Sequence, residues 1–273
     1  MRKVLPGLAM LIVFMIMSVP AGFAQFGPST KLVRDAEPGS VLAGNGADAS
    51  AVTLLSPEVA LSTYEQRLER ESAMLAGYSD DTLMIASLPD TKQAAEYELK
   101  RSYSAPGTLR YTPVRFSGDT FVKSNVLLRL LHAEVDHTLK REAPLTAINE
   151  KNYKFTHKSI EQLDGRAVYV YHVKPRKKRV GLFKGTVYLD ASTGSMVRAE
   201  GTLVKSPSFF IRKAEFVQEY GEVAGFMLPT HIRSVAKVHV IGRTIVDVFH
   251  RDYQPQRMSS KSREVSGIPF NAN

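Results

Sequence analysis

Over residues 163–253 the chain alternates strand-forming runs with short polar turns, and no catalytic constellation stands among them. Such a run folds as consecutive antiparallel strands, and it suits a surface or cavity that binds something. Leu163-Asp164-Gly165 turns into 166–173, rich in Val and Tyr. The strand 182–190 follows, then the turn Ala191-Ser192-Thr193-Gly194 and the strands 196–204 and 209–220. Met227-Leu228-Pro229 leads into 230–241, and Gly242-Arg243 is the clearest hairpin turn, since glycine supplies the positive φ that a two-residue connection needs. Counted outward from that turn, Val240 faces Ile245, Val238 faces Asp247, Ala236 faces Phe249 and Ile232 faces Tyr253. The other side then carries His239 with Val246, Lys237 with Val248 and Arg233 with Asp252.

Upstream, Ser56-Pro57 reads as a helix start, with serine to cap and proline at the first helical position. Ala60, Tyr64, Leu68 and Leu75 recur at helical spacing, which predicts an amphipathic helix ending near Gly77. Strands are expected at 82–88, 96–103, 108–116 and 152–160. In the second of these Tyr97, Leu99 and Arg101 alternate with Glu96, Glu98 and Lys100, so one face is wetter than the other. The period changes over 119–137, where Phe121, Val122, Val126, Leu130 and Leu131 suit a helix that interrupts the sheet as a lid or an edge cover. The total is ten or so antiparallel strands.

The N-terminus reads as an export signal. Arg2 and Lys3 precede an apolar run over 8–17 and the small-residue site Gly22-Phe23-Ala24. The run is shorter than the roughly 20 residues of a membrane span. Cleavage after Ala24 is expected, giving a signal peptide 1–24, a flexible leader 25–55 poor in large apolar residues, a domain 56–255 and a flexible tail 256–273. The chain has no cysteine, which excludes disulfides and a lipidated N-terminal cysteine. Its net charge of +9 favours anionic neighbours. Export to the periplasm disfavours nucleic acid as the partner.

Leu182-Phe183-Lys184-Gly185-Thr186-Val187-Tyr188-Leu189-Asp190, Thr193-Gly194, Val197-Arg198 and Phe226-Met227-Leu228-Pro229 resemble the outer-membrane lipoprotein-sorting, LolA/LolB-like group of bacterial periplasmic proteins. Gly118-Asp119-Thr120-Phe121-Val122-Lys123 and Ser206-Pro207-Ser208-Phe209-Phe210 look like a branch of uncharacterised exported bacterial proteins. The resemblance spans roughly 56–254. It implies an α+β fold: a strongly curved antiparallel sheet forming an incomplete, half-open β-barrel covered by helices, whose apolar concave face holds acyl chains. The chain departs from the carriers by its length and by the inserted helix near 119–137, and no family acceptor or release residue is carried over.

Candidate lining residues are Tyr169, Tyr171, Val187, Leu189, Phe216, Ile232, Val238 and Phe249, with Val197 and Leu203 beside them; the same residues could equally fill the interior. Lys174, Arg176, Lys177, Lys178 and Arg179 form a basic loop, with Lys184 close behind, suited to an anionic head group or an acidic partner, or else to a solvated turn that blunts sheet pairing. The cluster His132 to His137 and the strand histidines His231, His239 and His250 lack metal-ligand spacing, so no metal or other cofactor is expected. No nucleophile elbow is present, which argues against an enzyme. The expectation is a non-enzymatic periplasmic carrier of a lipid or lipoprotein acyl chain, with possible contact to a membrane surface. The alternative is an envelope stress sensor or scaffold that binds another protein through the same fold.

Overall fold

The computed structural model describes residues 53–206, 211–239 and 241–258. The expected signal peptide, nearly all of the leader and the end of the tail lie outside them. Helix α1, Pro57–Met74, starts as its sequence dictates: the Ser56 hydroxyl accepts the Val59 N–H at 3.3 Å, and Pro57 needs no donor there. It ends earlier than its apolar stripe suggests. The Leu75 N–H still bonds the Glu71 carbonyl, but its backbone is already extended, and β1, Leu75–Leu88, begins at once. Gly77 allows this entry, because a Cβ there would stand 2.4 Å from the Tyr103 carbonyl oxygen.

β2 (Gln93–Ser104) and β3 (Thr108–Gly118) follow as hairpins. Asp119 then caps a helical segment, its carboxylate accepting from the N–H groups of Phe121 and Val122. The segment comprises α2 (Thr120–Val122), a π-turn over Lys123–Leu127, α3 (Leu128–Leu139) and the short α4 (Ala143–Thr146). Seven strands complete the chain: β4 (Tyr153–Leu163), β5 (Arg166–Pro175), β6 (Phe183–Asp190), β7 (Met196–Leu203), β8 (Ile211–Val223), β9 (Phe226–Val238) and β10 (Gly242–Arg257).

All ten strands form one antiparallel, curved sheet in the order β3-β2-β1-β10-β9-β8-β7-β6-β5-β4. Every neighbour is consecutive in sequence except β1 and β10, so the order runs round a ring with one rung missing, between β3 and β4. The helical segment α2–α4 connects those two free edges. The sheet is therefore an unclosed barrel, and the fold is α+β as the sequence predicts.

The last hairpin differs from its expected register. Val238 pairs with Gly242, Ser234 with Val246, Ile232 with Val248 and His231 with Phe249. The connection is longer than two residues: Gly242, at φ 85°, already sits in the ladder, and the Arg243 N–H is held by the Asp90 carboxylate at 2.9 Å. The shift is odd in number, so each side chain of β10 changes face relative to the expected pairing. Val246, Val248 and His250 point into the core, while Phe249 lies on the opposite face, its ring stacked 4.4 Å from that of His231. Arg233 bridges Asp247 rather than Asp252. The expected partner Val240 lies outside the described residues.

Candidate functional site

The concave face of the sheet is apolar across its width. Met84 and Ala86 of β1, Tyr97 and Leu99 of β2, Tyr169 and Tyr171 of β5, Val187 and Leu189 of β6, Phe216 of β8, Ile232 and Val238 of β9 and Val246 and Val248 of β10 belong to one continuous buried cluster. Seven of the eight expected lining residues are thus brought together; Phe249 is not, for the reason of register given above. Leu203 packs at the margin of the cluster, and Val197 is buried outside it.

Two helices cover this face. α3 and the π-turn before it lie over β1–β3 with Val126, Leu127, Leu130 and Leu131 buried. α1 lies over the β5–β9 side, where the hydroxyls of Tyr169 and Tyr171 donate to the carbonyls of Leu55 and Pro57 and that of Tyr64 donates to the Ile148 carbonyl. α1 is held by apolar contacts, with Ala60 and Tyr64 in the core cluster and Leu61 and Leu68 packed against it, and by polar ones. Arg67 donates to Glu71, to Ser195 at 2.6 Å and to Glu222 at 2.8 Å, and Glu71 accepts the Met227 N–H. Only Ala60 and Tyr64 of its 18 residues are fully buried. Beside it opens a cleft lined by Leu68, Leu75, Met196, Phe226 and Leu228, with Arg67 at its wall and a cavity volume of about 30 Å³. That is room for a water or two, since one water needs at least about 10–15 Å³ measured in this way.

A charged network anchors α3. Arg101, only 1% exposed, lies on the core face of β2, as its alternation with Leu99 and Tyr97 requires. Its guanidinium donates to Asp80 at 2.7 Å, to Glu134 of α3 at 3.2 Å and to the Tyr253 hydroxyl at 2.8 Å, and it lies over the Tyr78 ring. Tyr111 donates to the second oxygen of Glu134. Tyr253 reaches this face because Asp252, at φ 52°, forms a bulge opposite Asp80 that turns the next side chain inward. Thr82 donates to Asp80, so the His250 Nδ1 that lies 3.1 Å from the same oxygen carries the proton of a neutral imidazole.

The network sets its own protonation. Burial raises the Asp80 carboxyl, but Arg101 and the hydrogen bonds from His250 and Thr82 outweigh it and bring the group down to about 2. Burial raises Glu134 further than Arg101 and Tyr111 lower it. Burial, seconded by the Arg101 charge, takes His250 down to about 4. These groups do not open on the cleft, and they offer no nucleophile beside a base. Among the described residues no three His, Asp or Glu side chains converge as a metal site. His137 meets Glu142 at 3.1 Å instead.

The basic loop lies at the opposite end of the sheet from the cleft. It follows β5 and precedes β6, whereas the cleft is built from the starts of β1, β7 and β9. Arg176 is tied back, its Nε donating to the carbonyls of Glu150 and Tyr153. Lys174, Lys177, Lys178 and Arg179 are exposed. The cleft and the expected head-group residues are therefore separated by the length of the strands, whereas the expected lining residues run along them: Tyr171 stands on the same strand as Lys174, and Val187 on the same strand as Lys184.

No family model and no curated protein sequence matches the chain. Solved structures do. One is a domain provisionally assigned to outer membrane lipoprotein sorting from Vibrio parahaemolyticus, at 13% identity and a TM-score of 0.40 over 77% of this chain and 97% of that one. A LolA superfamily protein from Nitrosomonas europaea matches at 11% identity and a TM-score of 0.36, over 76% and 96% of the two chains. A DUF1329 family protein from Desulfovibrio piger matches at 11% and 0.38, over 72% and 92%. The chain is similar to these LolA-like structures over most of their length, and its fold rests on its own strand order and register.

Proposed function

We propose that the protein is a non-enzymatic periplasmic binding protein that takes an acyl chain, free or attached to a lipoprotein, onto the concave face of its unclosed barrel. The observation that carries this reading is the mismatch between that face and its cover. On the β5–β9 side that apolar surface lies beneath α1, of which only Ala60 and Tyr64 are completely buried. Each methylene moved from water onto such a face contributes about 0.8 kcal/mol, so a long acyl chain can compete with α1 for it. The cleft beside α1 marks where the cover would part from β7 and β9. Lipid extraction and mass spectrometry of the protein from its native envelope test the reading, together with uptake of a fluorescent fatty acid. A bound lipid or saturable uptake supports carriage, and a lipid-free protein that takes up none excludes it.

The small volume of the cleft, about 30 Å³, favours a second reading, in which the same barrel is a sensor or scaffold that binds another envelope protein. Capture of one envelope protein by the lipid-free form, undisturbed by added fatty acid, would select it.

A further inference from the structure

Strand topology gathers a cluster of basic side chains at one end. Because all strands are antiparallel, the β5–β6 loop, the start of β4, the ends of β7 and β9, and the starts of β8 and β10 lie together. They carry Lys154, Lys174, Lys177, Lys178, Arg179, Lys184, Lys205, Lys213, Lys237 and Arg243, all exposed. The same end also holds Asp90 and Lys92 of the β1–β2 connection, Asp119 after β3 and Glu215 beside Lys213, so it is basic by excess; the turns of the other end hold Asp164, Asp190 and Glu222 with Arg166 and Arg198.

The register sharpens the asymmetry. Lys154 stands directly opposite Lys174, and Lys213, Lys237 and Arg243 stand side by side across three neighbouring strands. Like charges directly opposite are destabilising in a sheet. Glu215 bridges Lys213, but Lys154, Lys174, Lys237 and Arg243 make no ion pair among the described residues. A sheet that tolerates such rows unaided is relieved by an external anion.

We propose that this end of the barrel is a docking surface for an anionic lipid bilayer. The charges sit on long exposed side chains spread from β4 to β10. A plane of lipid phosphates spreads its charge in the same way, whereas an acidic peptide concentrates it. Each basic residue near such a surface contributes on the order of 1 kcal/mol. Docking leaves the cleft, at the opposite end, facing away from the membrane. The inference does not depend on what the concave face holds, since vesicle binding is read without cargo.

The test uses the protein purified from the exported fraction in co-sedimentation with vesicles of phosphatidylethanolamine and phosphatidylglycerol, and with vesicles of phosphatidylcholine alone. Binding to the anionic vesicles is expected to weaken by at least about tenfold in each of K177E/K178E/R179E and K237E/R243E, and to fall steeply with salt. R166E, at the other end, is expected to bind as the parent does. Unchanged far-UV dichroism and thermal midpoint would show that the variants fold. Equal binding to phosphatidylcholine, or parent-like binding by both charge-reversal variants, would overturn the proposal. So would failure on both vesicles with retention on an acidic polypeptide, which would assign the surface to a protein partner.

Discussion

Replacing Arg101 with leucine would leave Asp80 and Glu134 buried without their counter-charge, and the loss of stability on urea unfolding is expected to be about 3–5 kcal/mol. Adding Asp80→Asn and Glu134→Gln should recover part of it, because the uncompensated charges go with the change. His250 gives the pH dependence its sign. Its folded value, about 4, lies below the ordinary 6.5, so the native state holds it neutral while the unfolded chain takes up a proton first. Stability is therefore complete above pH 6.5 and falls by about 3 kcal/mol as pH drops from 6.5 to 4. Asp80, brought from 3.8 to about 2, adds a further loss between those values, while Glu134, raised by burial, works in the opposite sense. Unfolding titrations of His250→Gln should lack the limb between pH 6.5 and 4. The alternation around Arg101 is visible in the sequence, but its burial is not. The partners that permit it lie 21, 33 and 152 residues away, on β1, α3 and β10.

At the scale of single elements, the β9–β10 turn depends on contact with the β1–β2 connection. A Cβ on Gly242 would stand 2.0 Å from the Asp90 carboxylate, and the backbone there is left-handed, so Gly242→Ala is expected to cost more than about 1 kcal/mol in thermal or urea unfolding. Asp90→Ala should cost about 1 kcal/mol by removing the acceptor for the Arg243 N–H. The double variant should lose less than the sum, because the clash needs the carboxylate. This contact explains why the glycine was readable as a turn while the register was not: sequence shows the residue with positive φ but not the distant carboxylate that fixes the connection length. The early part of β1 was hidden for a similar reason, since Gly77, Ser79, Asp80 and Asp81 have the composition of a turn. The start of α1 was fully legible, because Ser56 and Pro57 act locally. Ser56→Ala is expected to loosen that helix by about 1 kcal/mol and, where α1 gates the concave face, to speed fatty-acid uptake in a stopped-flow assay.

On the scale of the whole molecule, the run of turns made the consecutive antiparallel order legible, whereas the pairing of β1 with β10 joins segments from opposite ends of the chain and leaves no local trace. A cysteine-free chain lends itself to a distance measurement across the covered face. Spin labels on Arg70→Cys of α1 and Gln162→Cys of β4 are expected to move apart when an acyl ligand binds, and a constant distance would mean that α1 stays in place. The β1–β10 seam also bears on how the molecule is made. β1 meets β2 across a short connection, whereas its second neighbour, β10, comes only after β2–β9. Until β10 is in place, the β1–β3 hairpins carry an unpaired edge on β1. Without β10 the other strands would form two sheets with no hydrogen-bonded link between them, so this one strand fastens the β1–β3 hairpins to the rest of the sheet.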